Sequence, residues 1–123
     1  MKVYYLKSTV HEDPTTGVQT RDEKRTDWSF GSNFCEKVDT DLPTIADLES
    51  DYDLVYSGDD ISNLEDLFEA FQPEFMTPWI SANVLAVGHR SHTSMSVGDI
   101  VVMDNGEALM CDTFGWLVLV EGN

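Results

Sequence analysis

Basic residues are almost missing from most of this chain. Residues 38–123 hold one, Arg90, against seventeen acidic residues, and the stretch from Asp39 to Glu74 has twelve acids and no base. Residues 1–37 are balanced, with six bases (Lys2, Lys7, Arg21, Lys24, Arg25, Lys37) and six acids. The net charge of −16 therefore arises after residue 37. A field of that sign repels phosphate, so direct binding to nucleic acid or to an anionic membrane is not expected.

Long apolar runs are absent as well. None approaches the ~20 residues that a membrane helix requires. The opening Met1-Lys2-Val3-Tyr4-Tyr5-Leu6-Lys7 is too short and too aromatic for a signal peptide. Two cysteines, Cys35 and Cys111, do not make a disulfide framework. The expectation is a soluble cytoplasmic protein with free thiols.

Reaction chemistry is sparse. His89 and His92 with Cys111 match no standard zinc spacing and lack a fourth ligand. Asp51-Tyr52-Asp53 opens like a calcium loop, but the third oxygen residue, the glycine and the distal glutamate are missing. Neither a metal nor a cofactor is expected. Cys111-Asp112 with His89 or His92 would be a nucleophile and base only if the fold brought them together, and nothing in the sequence activates the thiol. No phosphate-cradling glycine loop is present. Ser91, Ser94 and Ser96 read as turn residues that bond to backbone, and Asp99 after Gly98 as a residue that pins its own loop. Many carboxylates are present, but none is singled out as a catalytic pair. The chain reads as a non-enzyme.

What is present specifies a fold. Apolar residues make up 41% of the 123, enough for one core, so residues 1–123 form a single domain. The strongest signal is a hairpin. An apolar run Ile100–Met103 leads into Asp104-Asn105-Gly106-Glu107, and Ala108–Cys111 runs back; Asn-Gly between apolar runs predicts a type I′ turn with φ > 0 at both central residues. Lys2–Thr9 reads as a first strand, His11–Thr20 as a loop or a wide turn, and Trp28-Ser29-Phe30 as a strand pairing with the first. Residues 44–50 predict one or two helical turns with Ile45 and Leu48 inward. Asp53–Tyr56 reads as a short strand. The clearest helix is Asn63–Gln72, with Ser62 as N-cap, Glu65 completing a capping box, and Leu64, Leu67, Phe68 and Phe71 as one apolar stripe. Thr77-Pro78-Trp79 predicts a short helix and Val84–Val87 a buried strand. Leu117–Val120 does not alternate, so a strand covered on both faces is expected. The sum is α+β: an antiparallel sheet of four to six strands with one main helix packed on it.

Two segments around the hairpin carry a resemblance. Ser94-Met95-Ser96-Val97-Gly98-Asp99-Ile100-Val101-Val102, then Cys111-Asp112-Thr113-Phe114-Gly115-Trp116, resemble the C-terminal signature of the YodL-like domain, a group of small proteins common in phages and conjugative elements. The resemblance implies a mobile-element origin and a shared scaffold, and no catalytic residue.

Three readings account for the charge. It keeps the protein in solution, it adapts the protein to high salt, or it forms a face that engages a basic partner. Salt adaptation would spread acids along the whole chain, and the balanced first 37 residues argue against it. The leading expectation is a small acidic binding protein of a phage or mobile element. It would imitate nucleic acid and occupy the basic groove of a host defence protein of the restriction or CRISPR class. The candidate contact residues are Asp47, Glu49, Asp51, Asp53, Asp59, Asp60, Glu65, Asp66 and Glu69, all but Asp53 expected to be exposed and contiguous. The alternative is a structural or regulatory adaptor that binds a partner through the C-terminal hairpin edge at Phe114-Gly115-Trp116, without mimicry.

Overall fold

The computed structural model describes residues 1–7, 10–21, 25, 28, 42–59, 61, 63–72, 95–112 and 115–122. Five strands form one antiparallel sheet: β1 (Lys2–Leu6), β4 (Tyr52–Ser57), β5 (Ile100–Val102), β6 (Ala108–Asp112) and β7 (Gly115–Val120), in spatial order β4-β1-β5-β6-β7. A separate hairpin pairs β2 (Val10–Glu12) with β3 (Gln19–Arg21). Two short helices complete the described fold, α1 (Asp47–Asp51) and α2 (Leu64–Ala70). The class is α+β, as composition and patterning predicted.

Strand β1 sits inside the sheet although it opens the chain, because its residues are aromatic and branched on both faces. Val3 and Tyr5 point to one side, where they meet Leu67 of α2 and its C-cap Phe71 together with Val55 and Val101. Leu6 points to the other, where Ile100 and Met110 gather with Trp28, Leu48 of α1 and Tyr52. Side chains alternate across a strand, so α1 and α2 pack on opposite faces. Trp28 is 2% exposed and stacks on Tyr52 with ring centres 6.0 Å apart. Phe71 meets Tyr5 and Tyr56 edge-on, at 6.2 and 5.7 Å. Such aromatic contacts add to the stabilisation from area burial.

Several expectations are corrected. Trp28 lies in helical backbone and is not a partner of β1, whose neighbours are β4 and β5. Residues 10–21 form a hairpin, so the expected loop or wide turn is confined to residues 13–18, where Asp13 Oδ1 accepts from the Thr15 and Thr16 amides and Gly17 takes φ 71°. Ile45 is exposed while Leu48 is buried, because α1 starts at Asp47 and turns only Leu48 inward. The cap of α2 is shifted by one residue. Asn63 is the N-cap, its Oδ1 accepting the Asp66 amide at 2.8 Å, and Asp66 Oδ2 accepts from Asn63 Nδ2 at 2.9 Å. Phe68 leaves the core stripe and is 38% exposed, because Leu67 and Phe71 already fill the space above the sheet. The expected helix at 77–79, the expected strand at 84–87, Ser62 and residues 33–41 lie outside the described residues.

The C-terminal hairpin forms where expected, with Val101 opposite Leu109. Its turn differs. Among the described residues positive φ occurs only at glycine, and Gly106 takes 88° while Asn105 stays negative. The loop is the three-residue kind that ends in a left-handed glycine, with the Gly106 amide donating to Met103 O at 3.0 Å and the Met103 amide to Glu107 O at 2.8 Å. Asn105 contributes through its side chain, which accepts the Glu107 amide at 3.0 Å. Strand β7 is at the sheet edge instead of being covered on both faces, and Val118 is 47% exposed. Its ladder with β6 slips between Ala108 and Leu109, so that Leu119 is an extra residue.

No atom lies within 4 Å of where a Gly106 side chain would sit, so substitution there tests backbone strain alone. Gly106→Val should lose about 1–3 kcal/mol in urea unfolding. Gly106→Asn should retain most of the stability, since asparagine tolerates the left-handed region.

Candidate partner-binding surface

The acidic candidates divide into three groups. On α1, Glu49 is exposed and Asp47 half-buried. Asp47 also shapes its helix start, its Oδ2 accepting from the Thr44 amide at 2.8 Å and Thr44 Oγ1 at 3.0 Å. On α2, Glu65, Asp66 and Glu69 are all exposed. Asp59 is exposed past the end of β4 and borders clefts that reach Leu48 on one side and Ile61 on the other. Because α1 and α2 lie on opposite faces of the sheet, the acids do not form the single contiguous face expected from the sequence.

Asp51 is a correction. It is buried at 3%, and its Oδ1 accepts from Arg25 Nε at 2.8 Å while Oδ2 accepts from Ser50 Oγ at 2.8 Å. It fastens residue 25 to the end of α1 and is not offered to a partner. Asp53 is half-buried with Lys7 Nζ 3.9 Å away. Two bases from the balanced first part of the chain thus lie against two acids of the acidic run. Asp60 lies outside the described residues. Three exposed carboxylates, Glu65, Asp66 and Glu69, share α2. Neither α2, residues 95–112 nor residues 115–122 contain a lysine or arginine.

Asp99 does more than pin its own loop. Fully buried, it accepts the Ser96 amide on Oδ2 at 2.8 Å and, across 93 residues of sequence, the Leu6 amide on Oδ1 at 2.9 Å. Its carbonyl accepts the Cys111 amide at 2.7 Å, and Tyr52 Oη donates to Gly98 O at 2.6 Å. Loop 95–99 is thereby tied to β1, β4 and β6 at once.

That loop forms one wall of a cavity of about 450 Å³. Phe68 of α2 forms another, and Trp116, at the start of β7, meets Phe68 edge-on at 6.3 Å. Met95, Val97 and Cys111 give the cavity an apolar lining, and Ser96 and Asp112 are its polar members. Sequence reading missed this feature because Phe68 fits the helical stripe. The signal was that Leu64, Leu67 and Phe71 complete a stripe without it.

The Cys111 thiol is a poor nucleophile. Burial, and then the nearby carboxylates Asp99 and Asp112, push its pKa from 9.0 up to about 11. His89 and His92 lie outside the described residues. Among the described residues no group of three or more His, Cys, Asp or Glu is placed to hold a metal ion, and no helix is long and apolar enough to cross a membrane. No family model, curated protein or solved structure matches the chain.

Two outcomes follow from these placements. Arg25→Ala removes a partner from the buried Asp51 carboxylate and should cost on the order of 3 kcal/mol in chemical denaturation, while Glu65→Ala should be close to neutral. For Cys111, the folded state keeps its proton above pH 9 while the unfolded chain releases it. This contribution to stability is therefore full below about pH 9 and is lost as pH rises toward 11. Alkylation by iodoacetamide at pH 8 should be slow at Cys111 in native protein and fast in urea, read by mass spectrometry of the Cys111 peptide.

Proposed function

We propose that this chain is a small acidic binding protein without catalytic activity, acting on a basic partner by presenting carboxylates in place of phosphates. The observation that carries the reading is the outer surface of α2. Glu65, Asp66 and Glu69 stand exposed there, on a part of the described fold that contains no base. Carboxylates held by a folded frame attract cationic grooves at long range and cost little to order on binding. Glu49 and Asp59 extend the negative field without sharing the α2 surface. The partner class that fits is a protein whose groove is built for polyphosphate, such as a restriction or CRISPR nuclease in the cytoplasm. The resemblance of residues 94–102 and 111–116 to the YodL-like domain supports a phage or mobile-element setting.

A second reading has an observation of its own. Strand β7 ends the sheet with Val118 and Val120 exposed and Trp116 half-buried. An adaptor could use that edge to add a partner strand, without mimicry.

Charge reversal separates the two. Glu65→Lys, Asp66→Lys and Glu69→Lys together should leave the fold intact, since all three point away from Leu67 and Phe71. Partner capture at 0.1 M salt should then drop sharply, chiefly through a slower on-rate, by about 10- to 10³-fold. Salt at 1 M should weaken the unmutated complex in the same direction, and duplex DNA should compete. A complex that survives both the reversal and 1 M salt rejects mimicry in favour of the β7 edge.

A further inference from the structure

The cavity between Phe68 and Trp116 sits beside the acidic surface of α2. On a helix each residue turns the direction by 100°, so Glu65 and Glu69, three before and one after Phe68, fall within about 100° of it on the same flank. Asp66 lies on the far side. Asp112 is a polar member of the cavity lining. A largely apolar hole of about 450 Å³ therefore has one carboxylate in its lining and two more on the helix flank next to its Phe68 wall. Walls of two aromatic rings, a methionine and a valine suit a large apolar side chain, and the rim suits cations next to it.

We propose that this cavity seats one large apolar side chain from a cationic segment of a partner protein, with neighbouring lysines or arginines meeting Glu65 and Glu69. The proposal rests on the reading that the partner is basic, and it adds an anchor to a surface that otherwise has only charge. Other occupants fit the rim poorly. A second copy of the chain would bring a net charge of −16 to a surface of the same sign, and an anionic amphiphile meets the same repulsion. Charge alone gives a fast, salt-sensitive encounter, whereas a buried apolar anchor slows release and gives the contact its position.

Three fluorescein-labelled peptides test the assignment by fluorescence anisotropy: RRWRR, RRARR and EEWEE. The expected result is that RRWRR binds at least about tenfold more tightly than RRARR, the effect of burying one large side chain. EEWEE should not bind. Val97→Trp fills the cavity from its own wall and should abolish the preference for RRWRR while leaving RRARR unchanged. Trp116→Ala, which removes the opposite wall, should do the same, and circular dichroism identifies which variant remains folded. Shifts confined to the Trp116 indole and to residues 95–97 in NMR spectra of the RRWRR complex would support the site. Equal binding of RRWRR and RRARR overturns the anchor and leaves the acidic surface standing. Binding of EEWEE as tight as RRWRR overturns the cationic partner, and no binding of any peptide is a failure of the underlying charge reading.

Discussion

The Asp99 carboxylate is the interaction on which the rest of the sheet depends. The β1–β5 ladder ends at the Tyr4–Ile100 pair, two residues short of Leu6. The Leu6 amide would be left without a partner on that side, and Asp99 Oδ1 supplies one. The same carboxylate holds the Ser96 amide, and its backbone carbonyl holds Cys111. A fully buried carboxylate is costly unless its oxygens are hydrogen-bonded, and here they are. The gain is positional. Fixing Leu6 at this point fixes which residues of β1 face α1 and which face α2, because a slip by one residue would exchange the two apolar faces.

The charge has two structural roles before any binding role. Asp51 and Asp99 are buried and tie distant segments together. Asp47 and Asp66 settle the starts of α1 and α2. The remaining exposed acids lie on both sides of the sheet, and of these Glu65 and Glu69 flank Phe68, one wall of the apolar cavity. A net charge of −16 therefore overstates the size of any one acidic surface.

How much of this was legible in the sequence depends on the range of the cause. The hairpin at 100–112 and helix α2 are specified locally, by Asn105-Gly106 between apolar runs and by Leu67 and Phe71 at helical spacing. Their details failed by one residue where two neighbours competed for one role: Asn63 displaced Ser62 as the cap, and Gly106 alone took positive φ. Trp28 was misassigned because three alternating residues fit a short strand as well as one face of a helix, and only Tyr52 and Leu48 decide between them. Strand β7 reads as covered on both faces, either central or helix-backed, because its apolar run is continuous. It is an edge strand whose residues lean on both clusters, Trp116 on one side and Leu117 and Leu119 on the other. The burial of Asp51 was out of reach, since it depends on Arg25, which lies 26 residues away. The cavity was invisible for the same reason. Phe68 and Trp116 are separated by most of the second half of the chain and meet only once β6 and β7 are in place.

The position of β1 also governs the order in which the molecule can be completed. This strand is synthesised before both its neighbours, which come from residues 52–57 and 100–102. On the ribosome it can pair along one edge long before the other exists, and its Leu6 amide waits for a carboxylate made 93 residues later. Contacts of such long range make folding slow relative to chains built from local pairs. During that interval Val3, Tyr5 and Leu6 have no complete sheet to cover them. The abundance of like charge translated between residues 39 and 74 then acts on the nascent chain itself, keeping half-built copies apart until the hairpin arrives to close the core.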